Sequence, residues 1–148
     1  MKRILILDDA PDIVELIHDY LGHKYGKNQI EIYATTEPEI ALGVVDSYEI
    51  DVAIIDMRMP GINGYDLIQM MNGKVNSVVF ISGWTKKLKE IPDKEEYQII
   101  SKPFKPKDIG NAVDRSFELV DSMKTMYDKL CEIERLILGR ERYDAKYA

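Results

Sequence analysis

Residues 51–61 read DVAIIDMRMPG, and this stretch decides the fold. Its first five residues, 51–55, form a short run that is rich in β-branched side chains and does not alternate, which is typical of a strand buried on both faces of a parallel sheet. A carboxylate, Asp56, follows at once. The stretch therefore predicts a buried strand that ends on an acidic residue.

Four further runs of the same character lie along the chain. Segments with helical periodicity separate them, so the sequence has the pattern of repeated βα units. This pattern predicts an α/β fold, a doubly wound five-stranded parallel sheet with helices on both faces. The other four predicted strands are 2–7, 29–34, 77–81 and 97–100.

Amphipathic helices are predicted between the strands, because apolar residues recur there at helical spacing. The segment 83–96 differs, since Pro92 and a dense run of charges limit a helix there to about two turns. The signals that begin or end the other helices are Pro11, a Thr36/Glu39 capping box, Asn72-Gly73 and Pro106.

Length and charge narrow the class of protein. The 148 residues suffice for one domain with an appendage. Twenty basic and 26 acidic residues give a formal net charge of -6, and no cluster of Lys and Arg exceeds a pair, so we expect no direct DNA binding. The first apolar run is four residues long, too short for a signal peptide or membrane span, so a cytoplasmic location without membrane contact is expected.

Polar residues follow the predicted strands at their carboxyl ends. In a doubly wound sheet these ends meet at one edge, where the binding site lies. Carboxylates that meet there repel by roughly 4 kcal/mol for a pair about 4 Å apart at an effective dielectric near 20, unless positive charge compensates. The residues concerned are Asp8, Asp9, Asp56, Ser82 and Lys102.

Compensating charge is available from Lys102 and from a hard divalent cation. Carboxylates that leave positions open for water and phosphate oxygens suit Mg²⁺. Cys131, the only cysteine, cannot form a thiolate cage and is expected to be a surface thiol in a reducing compartment. With the metal and Lys102 present, a phosphoryl group on a carboxylate meets positive charge on two sides, and Ser82 can donate a hydrogen bond to it.

The residues DD at 8–9, DMRMPG at 56–61, SG at 82–83 and KPF at 102–104 closely resemble, in this order, the CheY-like receiver domain of two-component response regulators. The resemblance spans residues 2 to about 120. It implies a flavodoxin-like strand order 2-1-3-4-5, a cis Lys102-Pro103 bond, and a phosphorylation-controlled switch that promotes its own phosphorylation and dephosphorylation but is not otherwise an enzyme.

The same resemblance implies how the acidic residues divide their tasks. Asp56 matches the phosphoacceptor, which a partner histidine kinase or phosphotransfer protein loads in a Mg²⁺-dependent reaction. Asp9 matches a direct metal ligand, and Asp8 matches a residue that acts mostly through metal-bound water. The backbone carbonyl of Arg58 is expected to complete the metal site.

Around the phosphoryl group, Ser82 and Lys102 match the hydroxyl and the lysine that turn toward it on phosphorylation. Gly83 matches the small residue that leaves it room to approach. Arg58 and Trp84 stand two residues past Asp56 and Ser82, at positions that tune phosphoryl lifetime in the family. Our hypothesis is that this bulky pair slows hydrolysis.

One position departs from the family. An aromatic that changes rotamer on phosphorylation commonly stands three residues before the lysine, but Ile99 stands there in this chain. Tyr97, on the same face of the strand, could substitute for it, but it is interpreted as a core or edge aromatic. We therefore expect the signal to leave through another element, such as the C-terminal helix.

A second apolar series, spaced 4, 3, 4, 3, 4, predicts a coiled-coil seam in the C-terminal helix. With Met123 at an a position, Lys129 falls at g and Glu134 at the following e, which is the pairing that aligns parallel helices in a homodimer. The alternative is that this stripe folds back on its own domain. The residues of the seam are Leu119, Met123, Met126, Leu130, Ile133 and Ile137.

The predicted organisation is thus a receiver domain over 1–120 and a helical extension over 121–148, with a coiled coil to about 138. Gly139 is expected to end the helix, and the tail after it to fray. The sequence opposes two other functions. A phosphorylation-independent dimeric scaffold is opposed by the acidic site, and a magnesium-dependent phosphohydrolase requires a D-x-D arrangement that residues 8–10 do not provide. The downstream protein is not identified by the sequence.

Overall fold

A five-stranded parallel sheet forms the centre of the structure, a computed structural model that describes residues 1–83 and 97–147, with side chains as far as Gly139. Two short strands form a separate antiparallel pair. The strands are β1 (Lys2–Leu7), β2 (Ile30–Thr35), β3 (Ile50–Asp56), β4 (Arg58–Met59), β5 (Ile62–Asn63), β6 (Val75–Ser82) and β7 (Gln98–Ser101).

The order of the strands in the sheet is β2-β1-β3-β6-β7, all in parallel. Counting only the five long strands, this is the predicted order 2-1-3-4-5. Each of the five predicted runs is a strand, and β3 is buried at every residue, as its unalternating sequence indicates. The pair β4 and β5, which turns the chain just after β3, was not predicted.

Four helices pack against the sheet within the described ranges, and they lie on both of its faces as predicted. The helices α1 and α4 cover one face, while α2 and α3 cover the other. None of them combines the length and hydropathy that a membrane span requires. Their bounds are α1 (Pro11–Tyr25), α2 (Pro38–Ser47), α3 (Gly64–Met70) and α4 (Pro106–Tyr147).

Three of these helices begin with proline, whose missing N–H is no loss in the first turn. The predicted Thr36/Glu39 capping box is wrong, because α2 begins at Pro38, its N-cap is Glu37, and no side chain caps it. The hydroxyl of Thr35 instead accepts a hydrogen bond of 3.0 Å from the Glu37 N–H. The helix predicted within 83–96 lies outside the described residues.

The C-terminal helix α4 is continuous from Pro106 to Tyr147, so the predicted end at Gly139 is wrong. Fraying of the residues after Gly139 stays a prediction. A glycine ends a helix when it adopts a positive φ, as Gly73 does after α3 with a φ of 74°. Gly139 is not among the glycines with positive φ. In a right-handed helical conformation, glycine costs only about 1 kcal/mol relative to alanine, which does not suffice to end the helix.

Candidate functional site

The predicted site residues meet at the carboxyl edge of the sheet. Asp8 and Asp9 follow β1, Asp56 is the last residue of β3, Ser82 is the last of β6, and Lys102 follows β7. Since these strands are parallel, their ends lie side by side. The structure therefore brings all five residues to one edge, as the sequence predicted.

One carboxylate oxygen from each of Asp8, Asp9 and Asp56 lies within 4.8 Å of the others, and we call these three residues the acidic cluster. Asp8 is fully buried, Asp56 is 3% exposed, and Asp9 is exposed. Two of the carboxylates are thus withdrawn from water, while the third opens the cluster to solvent. This is an arrangement that a solvent-borne cation can reach.

Lys102 lies between the two buried carboxylates. Its Nζ donates a hydrogen bond of 3.0 Å to Asp8 Oδ2 and lies 3.4 Å from Asp56 Oδ2. The other oxygen of Asp8 accepts a hydrogen bond of 2.9 Å from the Ala10 N–H. The Lys102 N–H donates to the Ser82 carbonyl at 2.8 Å, which fixes the end of β7 against the end of β6.

The segment after β3 is fixed by its backbone. The Arg58 N–H donates to Asp56 Oδ1 at 3.2 Å, and the Met57 N–H donates to the Ile81 carbonyl at 2.8 Å. The Gly64 N–H in turn donates to the Met57 carbonyl at 2.9 Å. These bonds orient the Asp56 carboxylate, and they bring the backbone of Arg58 beside it.

Gly64 is a residue of the site that the sequence reasoning missed. A Cβ at this position would lie 2.6 Å from the backbone oxygen of Asp56, closer than a real Cβ contact. The local sequence signals only the start of α3, because Gly64 follows Asn63, whose side chain accepts a hydrogen bond from the Asp66 N–H and caps the helix. The cap predicts a helix start, but the close approach to β3 depends on tertiary packing.

Burial raises the pKa of Asp56 to about 6. The Arg58 N–H and the charge of Lys102 act to lower this pKa, while Asp8 and Asp9 act to raise it. Burial also acts to lower the pKa of Lys102, but the bonds and charges of Asp8 and Asp56 outweigh it and leave the pKa raised. Lys102 is therefore a cation at neutral pH, and the cluster favours a further positive charge.

The chemistry of the acidic cluster fits a magnesium ion. It consists of three carboxylates without sulfur or imidazole, and hard cations prefer such oxygen ligands. One lysine cannot neutralise three carboxylates, so a divalent cation would complete the balance of charge. That the Arg58 backbone carbonyl joins these carboxylates as a metal ligand stays a prediction.

The other predicted positions are placed as follows. The Lys102-Pro103 bond is cis, as predicted. Gly83 is exposed at the end of β6, and Arg58 is exposed beside Asp56. Trp84 lies outside the described residues, so the proposed tuning pair is described only at Arg58.

Tyr97 and Ile99 both contribute to the core on the side of α3. Ile99 is half-buried against this core. The ring of Tyr97 lies edge-on to Phe80, with centroids 5.2 Å apart, and edge-on to Tyr65 at 6.3 Å. Tyr97 is therefore the core or edge aromatic that its position indicated, and an aliphatic side chain occupies the usual place of the aromatic.

Comparison with known proteins agrees with this geometry. The sequence profile described as response regulator receiver domain matches residues 4–114. The response regulator SaeR of Staphylococcus aureus (strain USA300) is 32% identical over 81 residues, which are 55% of this chain and 33% of that protein. The chain thus matches about a third of the length of this curated relative.

Solved structures give the same result. The response regulator TrrA of Thermotoga maritima, in complex with Mg²⁺-BeF, is 26% identical, with a TM-score of 0.66 over 78% of this chain and 99% of that one. A response regulator receiver domain protein of Clostridium thermocellum, 22% identical, has the same fold, with a TM-score of 0.69 over 85% of this chain and 99% of that one. Because the profile covers most of the sequence, this chain belongs to the response regulator receiver domain family of two-component systems.

Proposed function

We propose that this chain is a signalling switch in which Asp56 accepts a phosphoryl group from a partner histidine kinase or phosphotransfer protein, with Mg²⁺ as cofactor. The observation that carries the proposal is the position of the Lys102 ammonium, 3.0 Å from Asp8 and 3.4 Å from Asp56 within the acidic cluster. The relatives are response regulators, which supports a histidine kinase as the phosphodonor.

In the proposed reaction, an oxygen of the Asp56 carboxylate attacks the phosphorus of a phosphohistidine. The new O–P bond forms as the N–P bond breaks, and the imidazole leaves with its electron pair and takes up a proton. Lys102 pairs with the transferred oxygens, and the Ser82 hydroxyl donates to one of them. Asp9, Asp56 and the Arg58 carbonyl would hold Mg²⁺, with Asp8 acting mostly through metal-bound water, and the ion would supply positive charge to those oxygens.

The product changes the partners of Lys102. A phosphoryl group adds a charge of about -1.5 to -2. Lys102 therefore pairs with the phosphoryl oxygens in place of the Asp56 carboxylate oxygen, and the Ser82 hydroxyl turns toward the same oxygens. A shift from mostly off to mostly on needs about 5.5 kcal/mol of differential binding, more than one surface ion pair provides. In this proposal the metal, Lys102 and Ser82 act together.

The chain is not an enzyme with a separate substrate in this proposal, since the phosphoryl group is transferred to its own side chain. The signal then leaves either by docking of a downstream protein or through two chains associated along α4. A second candidate function, a dimeric scaffold that needs no phosphorylation, is favoured by one observation, the exposed apolar stripe of α4. A test of the phosphoryl group separates the two.

The decisive experiment incubates the chain with Mg²⁺ and acetyl phosphate and measures its intact mass. We expect one added phosphoryl group that hydroxylamine removes, and none in Asp56→Asn. Asp46→Asn is the matched control, because Asp46 pairs with Lys74 on the surface, and it should be modified like the wild type. Modification that persists in Asp56→Asn would refute the assignment, and no modification of the wild type would favour the scaffold.

Arg58 and Trp84 are proposed to slow loss of the phosphoryl group by obstructing the approach of water. Arg58 is exposed beside Asp56, while the proposal for Trp84 rests on its place in the sequence. We predict that Arg58→Ala and Trp84→Ala each shorten the half-life of the phosphorylated chain several-fold, as measured by intact mass over time. Half-lives equal to that of the wild type would refute this role.

A further inference from the structure

The part of α4 beyond the domain exposes an apolar stripe. Every residue from Asp121 to Gly139 is exposed except Cys131, which is half-buried. The six seam residues are between 50% and 65% exposed, which means that the stripe does not fold back on its own domain. A continuous apolar stripe on an exposed helix indicates a surface that another chain covers. The exposed residues of the seam are Leu119, Met123, Met126, Leu130, Ile133 and Ile137.

The helix that carries the seam is formed before a partner binds. The first four turns of α4 are buried against the sheet, where Ile109, Val113 and Val120 contribute to the core. The next turn is tied to the domain by the ion pairs Lys2–Asp121 and Lys124–Asp51. Because the helix is already formed, association has little backbone entropy to overcome.

Charges beside the seam favour a second copy of the same chain in parallel orientation. In two parallel helices, Lys129 at g lies opposite Glu134 at the following e of the partner, and the symmetry makes this pair twice. In an antiparallel pair, g faces g and e faces e, so this pairing of opposite charges is lost. Residues 121–138 carry four acidic and three basic side chains, so two copies repel only weakly.

The seam also lies far from the phosphoacceptor. The pair Lys124–Asp51 lies at the start of β3, and Asp56 is at its other end, five residues or about 17 Å away. This distance is about twice the Debye length at physiological ionic strength, so charge added at Asp56 has little direct effect on the seam. The seam itself is helical and exposed along its length.

We propose that two copies of this chain form a parallel coiled coil along the seam, whether or not Asp56 is phosphorylated. The dimer is therefore the resting state of the protein, and phosphorylation acts on an assembly that already exists. The proposal does not depend on the phosphoacceptor assignment, because its residues belong to α4 alone. The variant Asp56→Asn should be as dimeric as the wild type.

Sedimentation of the full chain at tens of micromolar tests the state of assembly. We expect twice the monomer mass of 17.1 kDa, both in buffer and with Mg²⁺ and beryllofluoride. Leu130→Glu, which places a charge at the centre of the seam, should weaken the dimer at least a hundredfold. Leu138→Glu is the matched control, because Leu138 is exposed at an outward b position, and it should remain dimeric.

Disulfide trapping tests the orientation. In a Cys131→Ser background, Met123→Cys and Ile137→Cys should each form a disulfide-linked dimer on oxidation, because equal positions face each other only in a parallel pair. Leu138→Cys should not be linked. A monomeric wild type, a dimer that appears only with beryllofluoride, a dimer that survives Leu130→Glu, or linkage that fails at both seam cysteines would overturn the proposal.

Discussion

Asp56 shows how the proposed chemistry acts on stability at the scale of one residue. Its carboxylate is buried beside Asp8, and burial raises its pKa to about 6. A carboxyl whose pKa is raised on folding stabilises the fold while it is protonated, and this contribution is lost as the pH rises from about 4 through about 6. Without a metal, the fold at neutral pH therefore contains an unfavourable charge.

We predict that Asp56→Asn raises the free energy of unfolding by about 1–3 kcal/mol in metal-free buffer at pH 8. The difference should vanish below about pH 3, where the wild-type carboxyl is protonated in both states. Urea denaturation in EDTA across this pH range measures it, with the exposed Asp46→Asn as control. Added Mg²⁺ should stabilise the wild type more than the variant, and equal stability at every pH would contradict the prediction.

The sequence was sufficient to find the reacting side chains but not the groups that fix them. The reacting side chains could be found because parallel strands end at one edge of the sheet and the local sequence shows where each strand ends. They are Asp8, Asp9, Asp56, Ser82 and Lys102. The need for glycine at 64 arises from a backbone oxygen in β3, and no local pattern encodes such an approach.

At the scale of the elements, α1 and α4 approach closely at Gly110. A Cβ on Gly110 would lie 2.8 Å from the Tyr20 ring, whereas one on Gly43 in α2 would meet nothing within 4 Å. We predict that Gly110→Ala destabilises the fold by about 1–3 kcal/mol, because the half-buried Tyr20 ring must leave its place against the core to admit the methyl group. The matched change Gly43→Ala should stabilise it by about 0.5–1 kcal/mol.

Urea denaturation of both glycine variants measures these opposite signs. A stabilised Gly110→Ala would mean that the Tyr20 ring moves aside at little cost. A destabilised Gly43→Ala would mean that glycine in α2 has a structural role that its open surroundings do not show. Unchanged phosphorylation by acetyl phosphate is the check that the site has remained intact.

A polar network joins β7 to α4 on the face of the sheet that α1 and α4 cover. The side-chain amide of Gln98 donates to the Ala112 carbonyl and to the Ser116 hydroxyl, both at 2.8 Å, and accepts from Arg115 at 2.8 Å. Ser77 of β6 completes it with a bond of 2.9 Å to Ser116. Partly buried groups in such a network lose their partners together.

We therefore predict that Gln98→Ala lowers the free energy of unfolding by about 1–3 kcal/mol, since it leaves partly buried donors and acceptors unpaired. Gln69→Ala, at an exposed position of α3, is the control and should change it by less than about 0.5 kcal/mol. Denaturant titration of the three proteins gives the values. Equal stability of Gln98→Ala and the wild type would show that water replaces the network.

Elements were predicted better than their ends. The five strands followed from apolar runs that depend on burial over several residues, whereas β4 and β5 have only two residues each and carry no such signal. The predicted capping box was wrong because α2 begins at Pro38, one residue later than an N-cap at Thr36 implies. The helix end predicted at Gly139 was wrong because a glycine ends a helix only where it adopts a left-handed conformation.

At the scale of the whole molecule, the division between domain and extension can be tested. We propose a receiver domain of residues 1–120, but Asp121 and Lys124 still form ion pairs with Lys2 and with the buried Asp51. We predict that a chain ending at 128 keeps the phosphorylation rate of the full chain. A chain ending at 120 should lose about 1 kcal/mol of stability, because it removes both ion pairs, including the one to the buried Asp51 carboxylate.

Acetyl phosphate labelling and urea denaturation of the two shortened chains measure these outcomes. A domain without the extension is a reasonable unit, since 99% of the TrrA chain superposes on 78% of this one. Equal stability of the two would keep the boundary at 120, as proposed. Loss of labelling in the longer one would mean that the extension supports the site.

The unbroken course of α4 also has a mechanical consequence. From Gly110, where α4 meets Tyr20, to Ile137 the helix covers 27 residues, or about 40 Å at 1.5 Å per residue. A tilt of about 5° at this base would displace the far end by about 3.5 Å, roughly the rise of two residues. A small adjustment at the sheet, one too small to open a pocket, thereby becomes a large displacement at the far end of the helix. Such a displacement is large enough to change the contacts of a neighbouring protein.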